Sequence, residues 1–198
     1  MSLRQRLKTA TQPYHDQTEA LSGPGAEFTL DDYRTFLRTA WLFHSRLESG
    51  LTDFLSPALK DDLRWPDRLK TPRIARDLQE LGVDPAASLA PLPFPINTTP
   101  QALGALYVAE GSTLGGMMMK KTWEADPLIG PHASFQFLGC YGPQTGSYWK
   151  SFIAVLESTI AEPADEAETI AFAQSTFEFY QACHRRVAAT AVPVSSIL

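Results

Sequence analysis

Residues Ala102–Thr122, ALGALYVAEGSTLGGMMMKKT, decide how the chain is read. The stretch is patterned as a helix, yet it carries Gly111, Gly115 and Gly116 in its middle. Each interior glycine weakens a helix by about 1 kcal/mol relative to alanine, so the three together remove about 3 kcal/mol. Gly111 and Gly115 are one turn apart and leave a single face without side chains. Such a face invites close approach by another helix or by a flat ligand.

Outward from this stretch, the apolar pattern is helical almost everywhere. Ser2 and Gln5 form a capping-box pair ahead of Leu3, Leu7, Ala10 and Tyr14. Pro13 then implies either a kink or a second helix capped by Thr11. Gly23-Pro24-Gly25 reads as a turn. Thr29 and Asp32 open a helix whose stripe runs Tyr33, Phe36, Leu37, Ala40, Trp41, His44, Leu47, Leu51 and Phe54, with Pro57 as its end. The pattern breaks at Trp65-Pro66. Thr71-Pro72 then reads as a cap-plus-proline start, and Gly82 as the matching stop.

Pro85, Pro91, Pro93 and Pro95 make the next stretch a connector. Thr99-Pro100 launches the glycine-bearing helix, which runs to about Ala125. His132–Tyr141 carries no clear period, and Gly142-Pro143 with Gly146 reads as a loop. Tyr148–Ile160 and a segment after Pro163 read as the last two helices. There is neither an internal repeat nor a convincing alternating run. The expected class is all-α, one compact helical domain over residues 1–190 with a tail at 191–198.

Composition narrows the function classes. The chain has 198 residues, a net charge of −5 and no dominant basic patch, which argues against general nucleic-acid binding. Cys140 and Cys183 are far apart, so a structural zinc site is not expected and a reducing, cytoplasmic setting is. MSLRQRLKTA lacks the apolar run of a signal peptide, and Glu110 interrupts the most apolar segment, so no membrane span is expected.

Lys8, Gln12, His15 and Glu19 are spaced four, three and four, and form one polar stripe in an unbroken helix. A neutral imidazole can ligate haem iron when its other nitrogen is oriented by a neighbour, and Glu19 is placed to supply that contact. The plainer reading is an exposed His–Glu pair supporting a helix. Lys8 lies roughly 10 Å from His15 along such a helix, a span that suits an iron at one end and a propionate at the other. His44, on an apolar stripe, reads as a core residue, and Met117–Met119 as core filling. No E-x-x-H occurs, which removes the usual di-iron bundle signature.

Five segments together resemble the bacterial, biliverdin-forming haem oxygenase family. They are LKTATQPYHDQTE (Leu7–Glu19), LYVAEGSTLGG (Leu106–Gly116), LGCYGPQTGSYWKSFIAVLE (Leu138–Glu157), RWPDRL (Arg64–Leu69) and ARDLQELG (Ala75–Gly82). The resemblance implies a helical fold with haem between a proximal and a distal helix. It implies His15 as axial iron ligand, Glu19 as its partner, and Gly111, Gly115 and Gly116 as the distal surface. Lys8 and Lys150 fall where family members place cations near the propionates, and Phe177 near a pocket aromatic.

Ser112 stands where animal-type members carry an aspartate that organises pocket water. The implied reaction opens haem with O2 and electrons from a ferredoxin, flavodoxin or reductase, giving biliverdin, carbon monoxide and iron. The alternatives are a non-catalytic haem carrier on the same fold and a thiaminase-like hydrolase using Cys140 or Cys183.

Overall fold

Helix α1 (Leu3–Ser22) begins with the reciprocal cap expected of its sequence, the Gln5 amide on Ser2 Oγ and the Ser2 amide on Gln5 Oε1. In the computed structural model, which describes residues 1–22, 28–85 and 89–190, α1 runs without interruption through Pro13. No second helix starts at Thr11. The carbonyl that Pro13 leaves without its helical partner belongs to exposed Thr9, where water can satisfy it. Helix α8 holds the backbone on both sides. Gln174 Nε2 donates to the Ala10 carbonyl at 3.0 Å and Gln181 Nε2 to Thr18 Oγ1 at 3.0 Å. Leu3, Leu7 and Thr11 are buried beneath, while Lys8, Gln12, His15 and Glu19 form the exposed stripe.

Helix α2 (Leu30–Phe54) starts at the Thr29–Asp32 capping box and buries Tyr33, Leu37, Ala40, Phe43, Leu47 and Leu51. Burial of each large apolar side chain contributes about 2 kcal/mol. Pro57 follows this helix as expected, but it also opens α3 (Pro57–Leu63), capped by Ser56 Oγ. Trp65-Pro66 is the start of α4 (Trp65–Arg68), because proline at a second helical position needs no amide donor. Thr71 is already inside α5 (Thr71–Glu80), with Lys70 as the flanking residue; its hydroxyl donates to Glu48 instead of capping. Gly82 sits at φ +71°, the left-handed stop that glycine adopts at no steric cost.

Helix α6 (Thr99–Glu124) is capped by Thr98, one residue earlier than expected, and carries the glycines. Two 3₁₀ turns (Gly130–His132 and Gly142–Gln144) lead into α7 (Thr145–Thr159), so Gly146 belongs to a helix rather than a loop. Helix α8 (Pro163–Ala188) closes the fold. Among the described residues there is no strand, in keeping with the all-α expectation. The Gly23–Gly25 turn and the 191–198 tail lie outside the described residues.

α8 is the floor. Helices α1, α2 and α6 all pack on it, α6 most extensively, whereas α1 and α6 scarcely touch one another. Pairings of Arg6 with Glu166, Ala10 with Gln174 and Thr18 with Gln181 show that α1 and α8 run parallel. The apolar interior has two parts. One joins α2, α6, α7 and α8 around Leu103, Phe152, Leu156 and Phe179, and the other gathers Tyr33, Ile74, Trp123 and Phe135. Among the described residues no helix is long and apolar enough to cross a membrane.

Candidate functional site

The three helices α1, α6 and α8 converge at Thr11 and Tyr107. Burial pushes the Tyr107 phenol above its ordinary range, against the opposing pull of the Thr11 side chain and Arg4 beside it. One turn on from Thr11 is His15, and one turn on from Tyr107 is Gly111, each about 6 Å further along its helix. Elsewhere α1 and α6 make few contacts with one another, and α8 carries Phe177. The His15 and Phe177 rings meet edge to face with centroids 6.1 Å apart.

His15 is half-exposed, its Nδ1 lying 3.7 Å from Glu19 Oε2 and 3.8 Å from Asp16 Oδ1. These are electrostatic contacts rather than hydrogen bonds, being longer than such bonds run. They hold the ring with Nδ1 toward the carboxylates, which leaves Nε2 as the nitrogen without such a contact. Asp16 was not singled out by the stripe, although it adjoins His15; it also accepts from Gln12 Nε2 at 2.7 Å. Lys8 and Lys150 are exposed and make no ion pair among the described residues. Lys8 lines a shallow groove with Gln5, Thr9 and Gln12 on the same helix as His15.

The glycines of α6 divide by environment. A Cβ at Gly115 would meet nothing within 4 Å, and a Cβ at Gly111 would touch only the Trp149 ring, at 3.7 Å. Gly116 is different: its Cβ would lie in ordinary contact with Leu138, at 3.4 Å from its carbonyl oxygen, so this position faces packed protein rather than open space. Ser112 is exposed and donates to the Ala109 carbonyl at 2.9 Å, which keeps its acceptor lone pairs available to water. The tightest helix contact was not among the three glycines first singled out. A Cβ at Gly104 would collide with the Thr169 carbonyl of α8 and lie 3.1 Å from the Ala173 amide.

Sequence reading also missed the polar interior behind α6. Glu110 is fully buried and takes charge-assisted bonds from Arg68 and from Lys70 Nζ, the latter at 2.6 Å. Burial pushes Glu110 up, but Lys70 and Arg68 with their hydrogen bonds outweigh it and hold the carboxyl below its usual range. Burial likewise pulls Lys70 down, and Glu110 reverses this, keeping the ammonium above its ordinary value. These partners lie 42 and 40 residues from Glu110 in sequence, beyond any local pattern.

His44 is buried as expected, between Phe43 and Phe137, with Nδ1 3.5 Å from Glu48 Oε1 but not aligned for a hydrogen bond. Burial lowers its pKa against the opposing pull of Glu48, so it stays neutral near pH 7. The Met117–Met119 run is only partly core: Met119 packs inward, while Met118 is 76% exposed. Neither cysteine is an activated nucleophile. Burial pushes the Cys140 thiol up, and the Cys183 thiol up to about 12, opposite to what a reactive thiolate needs.

Comparison with solved structures defines the class. The NO- and CO-bound heme oxygenase from Neisseria meningitidis superposes with a TM-score of 0.79 at 24% identity, covering 100% of this chain and 99% of that one. The heme-free heme oxygenase 2 from Chlamydomonas reinhardtii gives 0.69 at 14% identity, over 97% of this chain and 100% of that one. The fold is therefore that of the heme oxygenases. In sequence, the chain is 31% identical over 153 residues to a heme oxygenase of Xanthomonas campestris pv. campestris (strain 8004), covering 77% of this chain and 88% of that protein. The heme oxygenase family model matches residues 94–186, which takes in α6, α7 and most of α8 but not α1. The chain belongs to the heme oxygenase family, whose members are haem-degrading oxidoreductases.

Proposed function

We propose that this protein opens haem, with O2 and electrons from an external donor, to biliverdin, carbon monoxide and iron. One observation carries the reading: His15 stands half-exposed on α1 with Nδ1 toward the Glu19 and Asp16 carboxylates, while a Cβ at Gly115 on α6 would meet no atom within 4 Å. An exposed imidazole oriented by carboxylates and a helix face left open at Gly115 suit the two sides of an iron porphyrin.

Bound haem supplies the iron at which oxygen is activated and is itself the ring that is opened. His15 holds the iron through Nε2, with Glu19 and Asp16 fixing the ring's orientation. A neutral histidine there would lack the strong electron push of a thiolate ligand, the electronic setting that suits oxygenation of the ring itself. Gly111 and Gly115 let backbone approach the opposite face, and Ser112 holds a water for proton delivery. Gly116 supports that surface by seating it on the Leu138 segment. Phe177 packs beside the proximal imidazole, and Lys8 and Lys150 neutralise the propionates. A ferredoxin, flavodoxin or reductase supplies the electrons, and the two free cysteines suit a cytoplasmic setting.

Haem titration and product analysis test this. The purified protein should take up one haem with a histidine-ligated Soret spectrum, then convert it to biliverdin with ascorbate or a reductase system. A stable haem spectrum under those conditions would instead identify a haem carrier.

A further inference from the structure

Glu110 sits one residue before Gly111 and is tied by three side chains to two separate pieces of the chain. Arg68 at the end of α4 and Lys70 before α5 each give one charge-assisted bond, and the Tyr141 hydroxyl donates at 3.0 and 3.1 Å to the two carboxylate oxygens. Arg68 is itself fixed by the Tyr148 carbonyl at 3.3 Å and by Ser151 Oγ at 3.0 Å, which brings in α7. Such a group is poor value as plain stabilisation, because the desolvation of buried charge rivals the attraction it gains. An apolar residue at position 110 would hold α6 in the core more simply. What the ionic arrangement adds is direction: short charge-assisted bonds fix the rotation and height of the helix, which an apolar contact does not.

The location gives that direction a use. Before Glu110, α6 is pressed onto α8 at Gly104; after it, Gly116 rests on Leu138 and Trp123 is buried in the aromatic cluster. Between these holds, Gly111 touches one aromatic edge and Gly115 touches nothing. Thr113 is buried within this span, but its glycine positions face only the Trp149 edge, and Glu110 is the near support of that open face. We propose that Glu110, held by Arg68, Lys70 and Tyr141, is a positioning residue that sets how the Gly111–Gly115 backbone stands toward haem. The proposal rests on the haem-site reading above. Glu110 is wholly buried and acts through the helix, without touching the substrate.

Glu110→Gln removes the charge at constant shape, and Tyr141→Phe removes one hydroxyl while leaving both ion pairs. Glu166→Gln, which breaks the Arg6 pair between α1 and α8, is the control. In haem-free protein, amide exchange over residues 111–115 should quicken roughly tenfold in Glu110→Gln relative to residues 103–109, and less in Tyr141→Phe. In the carbon monoxide complex, the C–O stretching band should shift or split in both variants, and the biliverdin isomer distribution should broaden. Glu166→Gln should leave all three as in the wild type.

A uniform loss of protection along α6 in Glu110→Gln, with the C–O band and isomers unchanged, would reduce Glu110 to a stability role and overturn the proposal. If Glu110→Gln does not fold, Tyr141→Phe decides by the same readouts. Failure of the wild type to bind haem would defeat the haem-site reading instead, and the exchange comparison would still report whether Glu110 restrains residues 111–115.

Discussion

The Gly104 backbone lies directly against the Thr169 carbonyl of α8, so close that any side chain at position 104 would collide with it. Eleven residues later, Gly115 faces no atom within 4 Å. One helix thus uses glycine for two opposite purposes, contact with a neighbouring backbone and clearance of a surface. The pair predicts opposite alanine effects. Gly104→Ala must push α6 off backbone atoms, at a cost of about 1–3 kcal/mol. Gly115→Ala should stabilise the haem-free protein by up to about 1 kcal/mol through helix propensity. Denaturant titration of both variants measures this, and equal signs would refute the division.

A larger side chain at the same open position should act on the substrate instead of the fold. Gly115→Leu is expected to fold as well as the wild type without haem, yet to lose haem affinity or turnover. Wild-type turnover in Gly115→Leu would remove this glycine from the haem face.

His15→Ala should bring turnover to background, and added imidazole should restore part of it by occupying the vacated ligand position. The spectrum checks this independently, because the histidine-ligated Soret band should be lost and then recovered with imidazole. Unchanged activity would move the ligand away from His15.

Stability should fall on acidification in two stages. Burial lowers the pKa of His44 from 6.5, so below that value the unfolded chain binds a proton that the folded one resists. Glu48 and Glu110 are held below 4.5 in the fold, so their contributions are present above that pH and disappear as it drops through their folded values. Asp77, raised by burial above 3.8, acts in the opposite sense in the window just above that value. On the alkaline side Lys70, raised above 10.5, contributes fully up to that pH and is lost only as the pH passes its folded value. Thermal melts from pH 8 down to 3 check the acid limb. Burial lowers His184 from 6.5 as well, so His44→Gln should shrink the step that begins near 6.5 and leave the share of His184; a step of unchanged size would assign it away from His44.

The sequence by itself determined the long helices and one stripe of the candidate site, but not the short α3 and α4. Capping boxes at Ser2–Gln5 and Thr29–Asp32, apolar residues every three or four positions, and the spacing of Lys8, Gln12, His15 and Glu19 are all local. A helix brings residues within one or two turns together whatever the rest of the chain does. Where local signals competed, the outcome needed the fold. Pro13 suggested an interruption, but α8 holds α1 straight through side-chain bonds to Ala10 and Thr18. Thr71 had the pattern of a cap, yet Glu48 claims its hydroxyl from another helix.

Only the tertiary structure decided which glycine packs and which stays bare, since that depends on what each backbone faces and not on spacing along α6. It alone joined Glu110 to Arg68, Lys70 and Tyr141, partners 31 to 42 residues away. A buried charge has to find its counter-charges wherever the folded chain brings them, because leaving it unpaired in the interior costs more than the fold can offset.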